Sequence, residues 1–331
     1  MTYALSLLDK SPIDENETAA AALDRTVTLV QKSERWGFHR FWVAEHHNND
    51  RLASSSPEVL IAHLLAHTSR IRIGSGGVML QHYSAYKVAE NFNLLATLAP
   101  GRVDLGVGKA PGGLPLSTHA LQGACDPIRK PGFGQQLAEL DGFLSVKSGP
   151  EIALKANPIP AIPVQRFLLG ASVESAQLAA AYGWDFVYAS HLNGDEALLD
   201  QVFTAYHDAS GGNVPLLAIG VIVAETHAQA ERLAGDLRRF KVSVEHGQGV
   251  TVGSLEQAEE YVRQAGLSEY RIEERMPGVL RGTSARVQQE LHRLHRRYGI
   301  SEFILDCPAT ERNARLASIE LLANAHFSLA A

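Results

Sequence analysis

The sequence places a carboxylate and two histidines side by side, directly after a short β-like segment. The run AEHHN, residues 44–48, follows the apolar run that ends at Val43. Histidine exchanges a proton near neutral pH, and a neighbouring carboxylate can orient its ring. The alternatives are a metal pair or a polar surface cluster. Neighbouring residues on an extended segment point in opposite directions, so His46 and His47 are not expected to share one ion, and we expect one of them to face an active site.

A second group of residues is suited to hold an anion. The run GASVES, residues 170–175, opens a predicted helix. Small residues and hydroxyls at a helix N-terminus leave backbone N–H groups free, and these groups and the helix dipole favour a phosphate. Ser172 is equally well suited to be a plain N-cap. Lys109 ends another strand, where a cation can meet an anionic ligand, so Lys109 and the helix start together predict a phosphate site.

Glycines mark two further strand ends. The run GSGG, residues 74–77, permits unusual backbone angles and the close approach of a flat ligand, although a plain bulge would have the same sequence. In the next strand, residues 103–108, valine and leucine alternate with Asp104, Gly106 and Gly108. One face of that strand is therefore apolar and the other has almost no side chains, which predicts open space on the second face.

These residues require elements that bring several strand ends together. Short β-like runs alternate with amphipathic helical runs, a pattern typical of parallel strands joined by crossover helices. Eight such units on more than about 250 residues predict an α/β fold of the (β/α)8 TIM barrel type, in which functional groups lie at the C-terminal ends of the strands. A doubly wound sheet would show a glycine-rich turn after its first strand, and residues 8–12 are not such a turn. The predicted strands are Tyr3–Leu8, Arg40–Val43, Ile71–Ser75, Arg102–Val107, Arg166–Leu169, Phe186–Ala189, Leu216–Val223 and Glu302–Asp306.

Two stretches exceed what a minimal barrel requires. Residues 110–132 are rich in proline and glycine, and residues 241–283 form an extended insertion before the last strand, with one helical piece near Ser254–Gln264. Long loops in a compact fold are commonly lids or binding loops, the alternative being structureless ornament. We expect one barrel domain, residues 1–331, with these stretches as lids. The predicted helices are Thr18–Trp36, Pro57–Thr68, Ser84–Ala99, Gly134–Leu144, Glu174–Tyr182, Asp195–Asp208, His227–Phe240, Ser284–Tyr298 and Arg312–His326.

Composition argues against several classes of protein. The 331 residues are 45% hydrophobic and 20% charged, which supplies a sizeable core. A net charge of −6 argues against nucleic acid as a partner. No stretch approaches the ~20 apolar residues of a membrane helix and no secretory signal begins the chain, so we expect a cytoplasmic protein without membrane contact. Cys125 and Cys307 form no disulfide framework, and His63 and His67 lack the glutamate of a metal-binding helix, so no metal site is predicted.

Several longer segments resemble a known family. The segments are FWVAEHHN, ASSSPEVL and IRIGSGGVMLQHYSAYKVAENFNLLATLAPGRVDLGVGKAPGG, followed by FLLGASVESAQLAAAYG and the later ASH. They closely resemble the bacterial luciferase-like family of flavin-dependent monooxygenases. The resemblance is strong up to about residue 113 and weak in the insertion. It implies a (β/α)8 barrel that binds reduced FMN from a separate flavin reductase, reacts it with dioxygen and oxygenates a small organic substrate.

The resemblance also implies roles for individual residues. His46 matches the catalytic histidine of the family, which we expect to move a proton with an ordinary pKa near 6.5. Gly76 and Gly77 match the position of a non-proline cis peptide beneath the flavin ring. Lys109 stands where the luciferase α chain has an arginine on the flavin phosphate, so a cation is kept without the bidentate geometry. The remaining matched positions are Ser172 and Ser175, which correspond to the hydroxyls at the phosphate-binding helix start, and Gly108, which replaces the reactive cysteine of luciferase itself.

His47 and Glu90 match residues that meet across the luciferase dimer. The resemblance therefore implies a homodimer through the helices at 57–68 and 84–99. Two other functions stay open on the same fold: a deazaflavin-dependent oxidoreductase and a flavin-binding barrel without catalysis. A metal-dependent barrel hydrolase is disfavoured, because no His-x-His follows the first strand and no ligand set appears at later strand ends.

Overall fold

Eight parallel strands pair side by side and close into a barrel. The computed structural model describes residues 3–123, 130–145, 154–244, 249–309 and 311–327. Its first strand pairs with both the second and the last, in a register that runs from Ala4 opposite Glu302 to Leu8 opposite Asp306. The predicted TIM barrel and its eight strands are confirmed. The strands are β1 (Ala4–Asp9), β2 (Arg40–Val43), β3 (Arg72–Ser75), β4 (Val78–Met79), β5 (Val103–Gly108), β6 (Gln165–Gly170), β7 (Asp185–Ala189), β8 (Leu216–Val223), β9 (Arg239–Val244), β10 (Val250–Val252), β11 (Tyr270–Arg275), β12 (Val279–Gly282) and β13 (Glu302–Asp306), of which β4 and β9 to β12 lie outside the ring.

Helices connect the barrel strands. In the first helix, Thr18 accepts a hydrogen bond from the Ala21 N–H at 3.2 Å, and Gly37 ends the helix with a φ of 98°, which glycine adopts at low cost. Within the described ranges, no helix is both long and apolar enough to span a bilayer. The helices are α1 (Ala19–Trp36), α2 (Pro57–Ala66), α3 (Ala85–Leu98), α4 (Pro115–Gln122), α5 (Phe133–Leu144), α6 (Val173–Ala181), α7 (Glu196–Ala209), α8 (His227–Ala234), α9 (Leu255–Ala265), α10 (Ser284–Tyr298) and α11 (Arg312–Phe327).

The predicted helix at His227–Phe240 is wrong in its second half. Helix α8 ends at Ala234, because Gly235 leaves the helical conformation with a φ of 55° and a ψ of −140°. The chain then extends into β9, in which apolar residues alternate with polar ones. That alternation, with a period of two, is the strand signal in the sequence.

The insertion at 241–283 contains a second sheet in addition to the predicted helical piece. β9 pairs antiparallel with both β10 and β11, and α9 packs against this sheet. β12 then returns to the barrel and pairs parallel with β8 on the outside of the ring. The prediction of a helix near Ser254–Gln264 is confirmed, whereas the sheet was not predicted.

The stretch at 110–132 also contains a helix that was not predicted. Helix α4 begins with Pro115. The N–H groups of the first helical turn have no acceptor within the helix, so the N–H that proline lacks costs no hydrogen bond there. The Leu116 N–H donates to Oε1 of Gln264 on α9 at 3.0 Å, so the two predicted lids contact one another. Residues 124–129, including Cys125, lie outside the described ranges.

The barrel interior is arranged in three layers by the two-residue period of its strands. The layer at the N-terminal ends of the strands consists of hydrogen-bonded polar side chains, and the middle layer is apolar. The layer at the C-terminal ends is ionisable. From the N-terminal end, the layers contain Ser6, Arg40, Asp104 and Glu302; then Leu8, Trp42, Phe167, Val187 and Ile304; then Lys10, His46, His191 and Asp306.

Candidate active site

Four ionisable side chains converge at the C-terminal mouth of the barrel, and we call them the mouth cluster. Lys10 follows β1, His46 follows β2, His191 follows β7 and Asp306 ends β13. Each lies an even number of residues beyond an interior apolar side chain of its own strand, which directs all four inward. Of the four, only His46 was predicted as a site residue. Continuing the interior alternation past each strand end is the signal that identifies the other three.

Lys10 and Asp306 form the charged pair of the mouth cluster. Nζ of Lys10 lies 2.6 Å from Oδ2 of Asp306, whose side chain is almost completely buried. Burial by itself would raise the pKa of the carboxyl, but the ammonium of Lys10 holds that pKa below its usual value. The aspartate is therefore ionised at neutral pH, and the pair adds a dipole to the mouth but no net charge.

His46 keeps a ring nitrogen available for a ligand. Its backbone N–H donates to the Ser54 carbonyl at 2.9 Å, which fixes its position. Its Nδ1 atom is shielded from solvent and has no hydrogen-bond partner among the described residues. Burial, together with the charge of Lys10, lowers the pKa of His46 to about 4. The expectation of an ordinary pKa is therefore wrong, and the ring is neutral at pH 7, with one nitrogen as donor and the other as acceptor.

His191 is a second histidine of the same kind. Its backbone N–H donates to the Ala218 carbonyl at 3.1 Å, and its side chain is 8% exposed. Burial lowers its pKa to about 4, with a smaller contribution from Lys10. Its Nδ1 also has no partner within the described part of the chain. The mouth thus presents two neutral imidazoles, each with an unused Nδ1.

His47 lies in a different environment from His46. Its Nε2 is 2.7 Å from Oε1 of Glu45, which also accepts from the Tyr83 hydroxyl at 2.8 Å. The other oxygen of Glu45 accepts from the Met79 N–H at 3.0 Å, and the His47 ring meets that of His82 edge to face. Glu45 is fully buried, so it orients His47 and anchors the loop after β2.

The predicted phosphate residues come together at the start of α6. The Ser172 hydroxyl lies 3.0 Å from the Ser175 hydroxyl and accepts from the Ser175 N–H at 3.2 Å. Nζ of Lys109 is 3.8 Å from Oε1 of Glu174, in the first turn of the same helix. A cation, two hydroxyls and a helix N-terminus are thus adjacent, a donor set that suits a phosphate. Glu174 is 81% exposed and can turn away from such a ligand.

The glycines of the strand ends have unequal roles. The Gly76–Gly77 peptide is cis, as predicted. A Cβ on Gly106 would lie 2.2 Å from the Ser75 carbonyl, so its missing side chain allows strands to approach and leaves no open space, contrary to prediction. A Cβ on Gly108 would meet only the end of Met79, at 3.7 Å. Space for a ligand therefore exists at Gly108 and not at Gly106.

A cavity of about 580 Å³ lies between α4 and the insertion. Gln81, His119, Val250 and Tyr261 are among its lining residues. The Gln81 amide donates to the Lys109 carbonyl at 2.8 Å, so this cavity adjoins the phosphate residues. Within the described ranges, no group of three or more histidine, cysteine, aspartate or glutamate side chains is placed to hold a metal ion.

Comparison with known proteins gives a consistent set of relatives. A family model described as luciferase-like monooxygenase matches residues 1–301. The N-acetyl-S-alkylcysteine monooxygenase of Bacillus subtilis (strain 168) is 46% identical over 329 residues, which cover 97% of each chain. The solved structure of apo-MsnO8 is 30% identical, with a TM-score of 0.78 over 98% of both chains.

One solved structure of the same fold contains a flavin. It is the oxygenating constituent of 3,6-diketocamphane monooxygenase from Pseudomonas putida, a type II Baeyer-Villiger monooxygenase in complex with FMN. It matches with a TM-score of 0.68 over 98% of this chain and 97% of that chain. At 15% identity, this likeness concerns the fold alone.

Proposed function

Because the chain belongs to the luciferase-like monooxygenase family, we propose that it uses reduced FMN and dioxygen to oxygenate a small organic substrate. The reduced FMN would come from a separate flavin reductase. The observation that carries this proposal is the mouth cluster, in which two neutral histidines present unused Nδ1 atoms beside a Lys10–Asp306 pair. Buried polar atoms without partners are uncommon, and they are expected where a ligand supplies the partner.

The residues present fit FMN. Lys109, Ser172 and Ser175 would hold the phosphate through one charge, two hydroxyls and the N–H groups of the α6 N-terminus. Gly76 and Gly77 would lie against the ring, as the family resemblance implies, and Gly108 leaves room beside it. Reduced FMN would supply the electrons that activate dioxygen, of which one oxygen atom enters the substrate and the other leaves as water.

Protein side chains would control protons and water around this reaction. At neutral pH His46 carries one proton, and it can hold that proton toward a reacting oxygen or accept a hydrogen bond at its other nitrogen. Positioned proton transfer of this kind typically contributes ~10²–10⁴-fold to a rate. His191 is placed to bind the substrate or to share this task. The apolar layer below the mouth excludes water from beneath the site.

We propose a thioether that carries a carboxylate as the substrate class. The support is the 46% identical relative, which is named for N-acetyl-S-alkylcysteine. The test combines the purified protein with a flavin reductase, FMN and isotopically labelled dioxygen. N-acetyl-S-alkylcysteines are compared with aldehydes, sulfonates and ketones, and substrate-dependent product is distinguished from free hydrogen peroxide.

The same assay separates the rival functions. Labelled oxygen in the product of a thioether supports the proposal. Labelled oxygen only in the product of another class would replace the thioether as the proposed substrate class. Tighter binding of a reduced deazaflavin than of reduced FMN, with hydride transfer and no oxygenation, would make the protein a deazaflavin oxidoreductase. Flavin binding without product from any compound would make it a flavin carrier.

We also propose a homodimer through α2 and α3. Val59, Leu94 and Leu98 are exposed on these helices, at 68%, 48% and 67%, and form an apolar surface that a second subunit would cover. Sedimentation at micromolar concentration should give a dimer, and Leu98→Asp should give a monomer. A wild-type monomer would exclude this interface, including the His47–Glu90 contact that the resemblance implies.

A further inference from the structure

The insertion sheet has one strongly basic face. In the β9–β11 ladder, Arg239 lies opposite Arg275, Lys241 opposite Glu273 and Ser243 opposite Arg271. Because side chains alternate between faces, these residues share one side of the sheet. That side has four cations, and among the paired residues of β9 and β11 its one carboxylate is Glu273. The cations are Arg239, Lys241, Arg271 and Arg275. Like charges directly opposite one another destabilise a sheet, so the Arg239–Arg275 pair needs an anion near it.

Arg239 has unused capacity to bind such an anion. Its Nη1 donates to the Arg238 carbonyl at 3.2 Å, and no described carboxylate lies within ion-pair distance of it. The two nearby acids are already held by Arg238, whose guanidinium lies 2.7 Å from Asp236 and 3.3 Å from Glu274. Arg239 is therefore a cation at this end of the basic face that forms no ion pair with a described carboxylate.

Arg275 is positioned by a neighbour but is not saturated. One guanidinium nitrogen of Arg275 contacts Oε2 of Glu273, and Oε1 of the same carboxylate lies 3.0 Å from Nε of Arg271. Glu273 is thus shared between two arginines. The Nε atom of Arg275 is shielded from solvent and has no partner in the described ranges. Arg275 can therefore contribute a further donor to a ligand held by Arg239.

The Arg239–Arg275 end of the sheet adjoins the mouth cluster. The carbonyl of Met276 accepts from the Gly194 N–H at 2.9 Å, and the Gly278 N–H donates to the Ser190 carbonyl at 2.8 Å. These bonds tie the end of β11 to the loop that carries His191. The approach is close, because a Cβ on Gly278 would lie 2.3 Å from Oγ of Ser190. The charge of Arg239 acts on His191, where it helps to lower the pKa of the ring.

We propose that Arg239 and Arg275 bind the carboxylate of the substrate and thereby place its reacting sulfur at the mouth cluster. This inference rests on the proposed function, because it assigns residues to the substrate class named there. Guanidinium groups bind carboxylates through paired hydrogen bonds, which fixes orientation as well as charge. Because the flavin phosphate is a second possible source of an anion, the experiment distinguishes the two.

The test compares an acid with its neutral ester. Turnover of N-acetyl-S-ethylcysteine and of its methyl ester is measured with the wild-type protein, Arg239→Met and the control Arg271→Met, which lies on the same face at the far end of the ladder. Wild type should prefer the acid. Arg239→Met should raise KM for the acid about 10- to 100-fold, the range for hydrogen bonds to charged groups, and leave KM for the ester unchanged. Arg271→Met should keep both values.

Calorimetric binding of the acid separates failure of this inference from failure of the proposed function. If wild type binds the acid and Arg239→Met does not, the result supports the Arg239–Arg275 pair even when no product forms. The absence of product then counts against the proposed function alone. The inference is overturned if Arg239→Met loses acid and ester equally or leaves KM for the acid unchanged. It is also overturned if wild type does not bind the acid. A loss of FMN affinity in Arg239→Met that spares riboflavin would assign the pair to the flavin phosphate and also overturns it.

Discussion

The two ends of the barrel interior both contain ionisable side chains, but only at the N-terminal end does each of them have its partners among the described residues. At the N-terminal end, Arg40 donates to both oxygens of Glu302 at 2.7 and 2.9 Å and to Asp104 at 2.8 Å. Asp104 also accepts from the Trp42 indole at 3.0 Å and from Arg72. At the C-terminal end, the Lys10–Asp306 pair is accompanied by two histidines whose Nδ1 atoms have no described partner.

This difference indicates that the N-terminal end of the barrel interior serves stability and that the C-terminal end is suited to bind a ligand. A buried charge network is tolerable only when each group has its partners, as at the N-terminal end, and removing one partner there leaves an uncompensated charge. An unpartnered buried polar atom costs stability, and it persists where a ligand completes it. TIM barrels place their chemistry at the C-terminal ends of the strands. Here that is the end at which two histidine Nδ1 atoms have no described hydrogen-bond partner, and we call it the incomplete end.

The largest effect is expected from His46→Ala at the incomplete end. Product formation should fall about 10²–10⁴-fold, because a positioned proton donor or acceptor is lost, while hydrogen peroxide rises. FMN affinity should be retained, because the phosphate residues are untouched. A reductase-coupled assay of product and peroxide, with His47→Ala as the control, checks this. Unchanged coupling in His46→Ala would remove His46 from the reaction.

The next effect is expected from Arg40→Met at the paired end. The buried carboxylate of Glu302 would lose its cation and Asp104 would keep only Arg72, which should lower the free energy of unfolding by about 3–5 kcal/mol. Urea titration followed by circular dichroism measures this. Arg263→Met, which breaks the exposed pair with Glu260, is the control and should cost less than about 1 kcal/mol. A loss as small as that of the control would contradict the role assigned to the network.

The sequence predicted the barrel well because strand and helix periods are local properties. Eight short β-like runs, separated by amphipathic helical runs, define the ring without knowledge of any contact. The insertion sheet was not predicted, although Phe240, Val242 and Val244 alternate clearly. Its strands are short and partly exposed, so their alternation is a weak signal next to the helical pattern of residues 227–234, and the predicted helix was extended into β9.

The site was predicted only where motif and resemblance pointed to it. His46 was found in a histidine pair, whereas Lys10, His191 and Asp306 stand alone in the sequence and meet only when the barrel closes. The lowered pKa of His46 could not be foreseen, because it depends on burial and on Lys10, which is 36 positions away in the chain. Gly106 was misjudged for a similar reason, since the Ser75 carbonyl that fills its side-chain space comes from another strand.

The third effect is a dependence of stability on pH that originates at the mouth. The pKa values of His46 and His191 are about 4 in the folded protein, against about 6.5 in an unfolded chain. Between these values the unfolded state binds more protons, so stability is fully present above about pH 6.5 and falls as pH falls toward 4. Each histidine should contribute a loss of about 2 kcal/mol between about pH 6.5 and pH 5.

Urea unfolding at several pH values checks this dependence. His191→Gln should reduce the slope of stability against pH by about half of the contribution from the two histidines. His292→Gln, at an exposed position of α10, is the matched control for the substitution. A slope that is the same in His191→Gln as in wild type would mean that His191 is protonated, or exposed to solvent, in the folded protein.

The smallest effect is expected at Lys109, which belongs to neither end of the interior. Its side chain is 40% exposed, so water and salt screen its charge far more than that of Arg40 or Asp306. Lys109→Ala should therefore weaken FMN binding only about 5- to 10-fold, below the range of about 10- to 100-fold for a hydrogen bond to a charged group, and should not change riboflavin binding. Glu174→Gln makes the opposite change: removing the carboxylate 3.8 Å from Nζ should strengthen FMN binding a few-fold, because the phosphate no longer meets a like charge. Fluorescence titration with both flavins at low and high salt measures these shifts, and both should shrink as salt rises. If Lys109→Ala weakened FMN and riboflavin equally, Lys109 would contact the flavin elsewhere than at its phosphate.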